Sequence, residues 1–418
     1  MGPSAVFGVL SETQEGAGSM RTTTLVMATL LVIAVASGGR AEKKIALADL
    51  RDRIMGGWVG QGVGVTFGAP YEFRSCGKVI EGELNAWKPE RLAGSLGQDD
   101  LYVDMTFIAA LETYGPDITC KEAGDAFGAT LYGLAHANAA GRDNVRKGIM
   151  PPMSGHPKHN IHADDIDFQI EADGIGMVCP GLPQMSNELC DVFGHIMNYG
   201  DGVYGGMWVA AMYAQAFFES DTEKIVRAAL RAVPGESTFA QCIRDVLKWH
   251  TWYPGDWKKT WAEVEKKYQD DTDCAPGNAF NIDAKLNAAY VAIGLLYGGG
   301  DMAKTMEIAT RCGQDADCNP ASACGVLGCA TGLSRMDERY KSFLPQLAGR
   351  KFVHTNYSYD TVANACMRVA RKVIEKAGGR IVEEDGVEYA VIPDQEPVPP
   401  ATLEQWGDQG QKRALGIE

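Results

Sequence analysis

The stretch Gly56-Gly57-Trp58-Val59-Gly60-Gln61-Gly62-Val63-Gly64-Val65-Thr66-Phe67-Gly68-Ala69-Pro70-Tyr71-Glu72 decides the fold class. Its glycines recur at three- and four-residue spacing among apolar residues, so Ala48 to Phe67 reads as a helix that a neighbour can approach closely. Glycine costs helix propensity, and only packing against other helices offsets that cost. The segments around it continue the pattern. Leu101 to Tyr114 carries Leu101, Met105, Ile108 and Leu111 on one helical face. Val203 to Phe218 is nearly all small or apolar and reads as a buried central helix. Ala284 to Tyr297, Met302 to Cys312 and Ala321 to Leu333 extend the series. Strand-like runs come late, at Arg380–Glu383 and Val387–Ile392, joined through an Asp385-Gly386 step that signals a hairpin. Pro393, Pro397, Pro399 and Pro400 then mark an extended tail. The expected fold class is all-α: a single large helical bundle with a small C-terminal β-hairpin extension. Residues 42–350 form the helical domain, and residues 351–418 pack on it as a helix, hairpin and Pro-rich tail.

Composition narrows the function. The 418 residues carry 39 Lys+Arg against 54 Asp+Glu, a formal net charge of −15. That balance argues against a nucleic-acid footprint, which needs a basic face. With 45% hydrophobic residues and 22% charged, the bulk of the chain is expected to fold. Residues 1–41 read as a leader and secretory signal peptide. Met20-Arg21 precedes a short apolar run from Leu25 to Ala36, closed by the small residues Ala34-Val35-Ala36. Cleavage after Ala36 or Ala41 would leave a mature protein with no stable membrane insertion, periplasmic or extracellular. Eleven cysteines contain no C-x-x-C pair, which argues against a zinc ribbon. A few disulfides are expected if the chain is exported, and the odd count leaves at least one thiol unpaired.

Two acidic clusters carry the chemistry. Gly97-Gln98-Asp99-Asp100 precedes the Leu101 helix, and Gly313-Gln314-Asp315-Ala316-Asp317-Cys318-Asn319 precedes the Ala321 helix. Each sets two carboxylates at a loop-to-helix junction, where they either cap the helix and complement its dipole or converge on a hard cation such as Mg²⁺. The repeated Gly-Gln-Asp opening favours a site.

These motifs, with the Gly-rich helix ending at Glu72, resemble the ADP-ribosylglycohydrolase family, which includes some jellyfish-type lens crystallins. The resemblance covers roughly residues 48–335. It implies an all-α domain with two Mg²⁺ ions in a cleft, Mn²⁺ being the alternative. Asp99, Asp100, Asp315 and Asp317 would be the metal ligands, and Glu72 and Asp100 the catalytic candidates. Asp173-Gly174-Ile175-Gly176-Met177 is similar to the family's Asn-Gly-x-x-Met stretch beside the substrate, which makes Asp173 and Gly174 substrate-binding candidates. Three positions depart from the family pattern. Gln98 replaces Ser or Thr before the first pair, Cys318 replaces Thr or Ser after the second, and Asn198-Tyr199 stands where a Thr-His pair is usual.

Between the motifs, residues 155–173 gather His156, His159, His162, Asp164, Asp165, Asp167, Glu171 and Asp173. Such a run is a pocket mouth that binds substrate hydroxyls, a solvated surface, or a separate metal site built on histidines three apart. The first reading makes His156, His159, His162, Asp164 and Asp165 substrate-binding candidates. The expected function is metal-dependent hydrolysis of an N- or O-glycosidic bond in an ADP-ribosyl, ribosyl or related glycoside. The alternative is a non-catalytic, crystallin-like scaffold or sugar-binding protein. A small-molecule or glycoside substrate is the expected partner.

Overall fold

Strand β1 (Glu42–Ala46) runs directly into helix α1 (Leu47–Gly68), which is buried on every side from Met55 to Gly68. The computed structural model describes residues 41–269 and 279–404; the leader and Cys274 lie outside the described residues. After α1 the chain crosses a 3-10 turn (Pro89–Gly97) and enters α2 (Asp99–Tyr114). Helix α3 (Cys120–Gly128) starts at a capping box in which Thr119 and Glu122 each accept from the other's backbone N–H. There follow α4 (His136–Arg146), the short α5 (Asp167–Ile170) and α6 (Asp173–Met177), and α7 (Pro183–Gly194) with proline in its first turn. Helix α8 (Asp201–Ala216) is almost wholly buried, as its small and apolar residues demand. Helices α9 (Thr222–Ala229), α10 (Thr238–Trp252) and α11 (Trp257–Tyr268) form an outer layer. Of their aromatic residues, Trp249 is buried and Trp252 exposed, with Trp261 donating to the Cys312 carbonyl at 2.9 Å.

The chain then returns to the centre through α12 (Ala284–Gly298), α13 (Met302–Arg311) and α14 (Cys318–Thr331). Helix α14 lies antiparallel along α1 at backbone contact. A Cβ added at Gly56, Gly60, Gly64 or Gly68 would overlap backbone atoms of Gly328, Cys324, Pro320 or Ala316 respectively. Both series advance by four residues, so one face of each helix meets the other in a single register. This packing answers the helix-propensity cost of the glycines, about 1 kcal/mol each relative to alanine. It also sets the last turn of α1 beside the first turn of α14.

The short α15 (Glu338–Lys341) leads to α16 (Tyr359–Lys376), which packs on α1 and is pinned where the Tyr359 hydroxyl meets Ser95 Oγ at 2.7 Å. The C-terminal hairpin forms as expected from β2 (Arg380–Glu384) and β3 (Val387–Pro393), with Asp385 and Gly386 both at positive φ in the turn. One feature differs from the sequence expectation. The sheet has three strands in the order β1-β3-β2, because β1 pairs antiparallel with β3 from Glu42↔Pro393 to Ala46↔Tyr389. Glu42-Lys43-Lys44 gives β1 no apolar alternation, and lysine suits an edge strand. The expected disulfides are absent among the described residues: all ten described cysteines are free thiols, eight of them buried. No described helix is long and apolar enough to cross a membrane.

Candidate functional site

The register of α1 against α14 builds the site. Beyond Gly68 the chain turns through Glu72 and Phe73, and ahead of α14 it turns through Gly313 and Gln314. Phe73 and Gln314 both adopt positive φ, at 51° and 52°, a conformation that side chains other than glycine rarely take. The two turns hold each other there: Phe73 N–H donates to the Gln314 carbonyl at 3.0 Å, and Gln314 N–H donates to Ser75 at 3.0 Å. This lacing brings Glu72 beside Asp315 and Asp317.

Helix α2 contributes the other half. Asp99 and Asp100 occupy its first turn, Asp99 exposed and Asp100 buried. Cys318 closes the gap between halves, its thiol donating to Asp100 Oδ1 at 3.1 Å. Ligand atoms of Asp315, Asp317 and Cys318 lie within 4.8 Å of one another. Burial, followed by Asp99 and Asp317, pushes the Asp100 carboxyl well above its usual range. Asp315 is pushed up to about 7, mainly by burial, and Asp317 rises for the same reason with Asp315 adding to it. Glu72 sits at the exposed rim, yet the packing around it and the charges of Asp317 and Asp99 raise it to about 7. Asp100 Oδ2 and Asp315 Oδ1 are buried without a hydrogen-bond partner. Crowded carboxylates with unpartnered buried oxygens suit a divalent cation, which would satisfy the lone pairs and the charge together. The residues present therefore fit a hard divalent ion, with one sulfur among the oxygens.

Behind this centre lies Asp104, which the sequence reading missed. It stands one helical turn after Asp100 on α2, and both its oxygens accept from Gly174 N–H at 2.9 Å. The spacing Asp100-x-x-x-Asp104 was the available signal. Asp173 is fully buried and accepts from the Tyr213 hydroxyl at 2.7 Å, so Asp104 and Tyr213 fix the Asp173–Gly174 stretch against the centre.

The 155–173 run divides. His156 packs edge-on to Tyr199, with ring centroids 4.8 Å apart, and His159 is held through its backbone carbonyl by Asn144. Neither has a described contact to the carboxylate centre. His162 instead joins His136 and Asp165, while Asp164 and Asp165 group with Asp283. This second group borders the first through Phe280, which meets Phe73 at 5.1 Å and stacks on His136 at 6.0 Å. Asn198 supplies structure: its amide donates to the carbonyls of Ala163 and Asp165.

The ADP-ribosylglycohydrolase family model matches residues 46–378, which spans both acidic motifs and all the helices that carry them. The chain belongs to the ADP-ribosylglycohydrolase family. A solved structure described as an ADP-ribosylglycohydrolase-related protein complex shares the fold, with a TM-score of 0.52 at 15% identity over 78% of this chain and 99% of that one. At that identity the likeness speaks for the helical architecture alone. No match was found among curated proteins.

Proposed function

We propose that this family member is a divalent-metal-dependent hydrolase of an N- or O-glycosidic bond in a ribosyl, ADP-ribosyl or related glycoside. The observation that carries the reading is the pair of buried, unpartnered oxygens of Asp100 and Asp315 amid five convergent carboxyl groups. Asp99, Asp100, Asp315 and Asp317 would hold Mg²⁺, in one or two ions, which supplies polarisation and positioning of sugar hydroxyls. Glu72, with its carboxyl near 7, exchanges a proton close to neutral pH and is placed to orient or deprotonate the attacking water. Asp173 and Gly174, held by Tyr213 and Asp104, form the wall facing the substrate. Cys318 stands where the family usually has a hydroxyl, and because sulfur is a poor partner for Mg²⁺ it weakens one site or shifts its preference among divalent ions.

The test offers purified protein a panel of ADP-ribosyl conjugates, nucleosides and simple glycosides, with chelator, Mg²⁺ or Mn²⁺. Metal-dependent cleavage is expected, with metal content falling in Asp100→Asn and Asp317→Asn. If nothing is cleaved and no metal is bound, the scaffold reading replaces this one. The proposal extends to export, motivated by the Met20–Ala36 pattern. N-terminal sequencing from the native host that finds Met1 or Met20 intact would refute it.

A further inference from the structure

His136 and His162 come from different elements, the first residue of α4 and the loop before α5, yet both aim at one oxygen. His136 Nδ1 lies 3.4 Å and His162 Nδ1 3.1 Å from Asp165 Oδ2. The three ligand atoms fall within 4.8 Å of one another. A first-row transition ion bonded at about 2.0–2.2 Å in tetrahedral geometry separates its ligand atoms by about 3.4 Å, so the two nitrogen–oxygen spacings lie close to the edges of such a site.

The backbone that presents the three side chains is braced by two buried asparagines. Asn160 accepts from His162 N–H at 3.0 Å while its amide donates to the Ala137 carbonyl at 3.2 Å and to Met197 at 2.6 Å. One side chain thus ties the His162 loop to the residue after His136. Asn198 donates to the Asp165 carbonyl at 2.8 Å and accepts from Phe168 N–H at 3.0 Å. His136 is itself held at φ 43°, a strained conformation for a residue other than glycine. Asp165 is fully buried, whereas the side chains of His136 and His162 remain 29% and 25% exposed, which leaves an entry path from solvent. The Asp164 and Asp283 carboxylates lie close to Asp165, and the buried Lys285 ammonium pairs with Asp283, which limits the ligand set to the two histidines and Asp165.

We infer that His136, His162 and Asp165 form a second cation site, separate from the Asp100–Asp315 centre, that binds a borderline transition ion such as Zn²⁺. Two imidazoles and one carboxylate are a donor set for Zn²⁺ or Fe²⁺ rather than Mg²⁺, so the two centres differ in the metal they select. Among the described residues, two partly exposed imidazoles and one buried carboxylate supply the ligand atoms.

The inference stands apart from the proposed hydrolase activity, and its test keeps them apart. Metal-free wild type, the Asp315→Asn/Asp317→Asn double variant, His136→Ala and His162→Ala are each titrated with Zn²⁺ by calorimetry, and with Co²⁺ by visible absorption. The double variant, with the carboxylate centre silenced, is expected to keep one Zn²⁺ and the Co²⁺ bands. Either histidine variant is expected to lose at least about tenfold in affinity at this site. Imidazole-nitrogen NMR on wild type follows His136 and His162 directly and needs no substitution. Zn²⁺-induced shifts of both Nδ1 atoms support the site. Unmoved resonances, or histidine variants that bind Zn²⁺ as tightly as wild type, overturn it and leave a His–Asp–His hydrogen-bonded cluster. Loss of hydrolysis with intact Zn²⁺ binding would count against the proposed function alone.

Discussion

The helix pair α1–α14 finishes differently at its two ends, although the same glycine register packs both. At one end Asp52 binds the exit from α14: its carbonyl accepts from Leu333 N–H at 3.0 Å, and its carboxylate accepts from Ser334 N–H and Oγ, each at 2.8 Å. All three Asp52 oxygens have partners. At the other end Asp100 Oδ2 and Asp315 Oδ1 are buried with none. Burying a carboxylate oxygen unpaired is costly, whereas the Asp52 carboxylate stays partly open to water as well as partnered, so the two ends differ in the electrostatic cost they carry. One end ties the pair together, and the other gathers acidic groups that could hold a metal.

That contrast can be broken by substitution. Glu72→Gln carries the largest expected effect: a loss of about 10²–10⁴ in the rate of any metal-dependent cleavage, with the fold retained. Equal rates for variant and wild type would remove Glu72 from the chemistry. Gly64→Ala drives a methyl into the Pro320–Ala321 backbone, and the two helices must part beside the site. Its expected cost is about 3 kcal/mol, read by denaturant unfolding, together with weakened metal binding. Gly56→Ala meets the Gly328 backbone at the far end and should cost a similar amount while metal affinity changes little. Equal metal loss in both variants would show that the ends are not separable. Asp52→Ala should cost about 1 kcal/mol and leave metal content unchanged.

The smallest effect is a pH dependence. Glu72, Asp167, Asp173 and Asp315 are all pushed up to about 7, principally by burial. The folded state therefore binds more protons than the unfolded chain between the ordinary carboxyl range and about 7. Stability of the metal-free protein should fall as pH rises through that window. Thermal unfolding in chelator should show a higher midpoint at pH 5.5 than at pH 7.5, and Mg²⁺ should flatten the difference by replacing the protons. A midpoint that rises with pH in chelator would contradict the raised carboxyls.

Much of the carboxylate centre was legible in the sequence because its parts are local. Asp99-Asp100 and Asp315-x-Asp317 each sit at a helix start, and the glycines of α1 announce a close neighbour before that neighbour is known. The helical series and the Asp385-Gly386 hairpin were legible for the same reason: periodicity and turn chemistry act over a few residues. Strand β1 was not, since Glu42-Lys43-Lys44 carries no strand pattern of its own and is ordered by pairing with β3, some 350 residues away.

The sequence by itself determined that helices with glycine faces must pack tightly and that acidic pairs begin two of them. Tertiary structure alone decided which partners meet. It matched Gly56, Gly60, Gly64 and Gly68 to Gly328, Cys324, Pro320 and Ala316, and it aimed Cys318 at Asp100. It also split the histidines of residues 155–173, turning His156 to Tyr199 and His162 to His136. The reason is physical: local propensity depends on neighbours in the chain, whereas burial and convergence depend on contacts between residues far apart in it, and no short-range pattern encodes those.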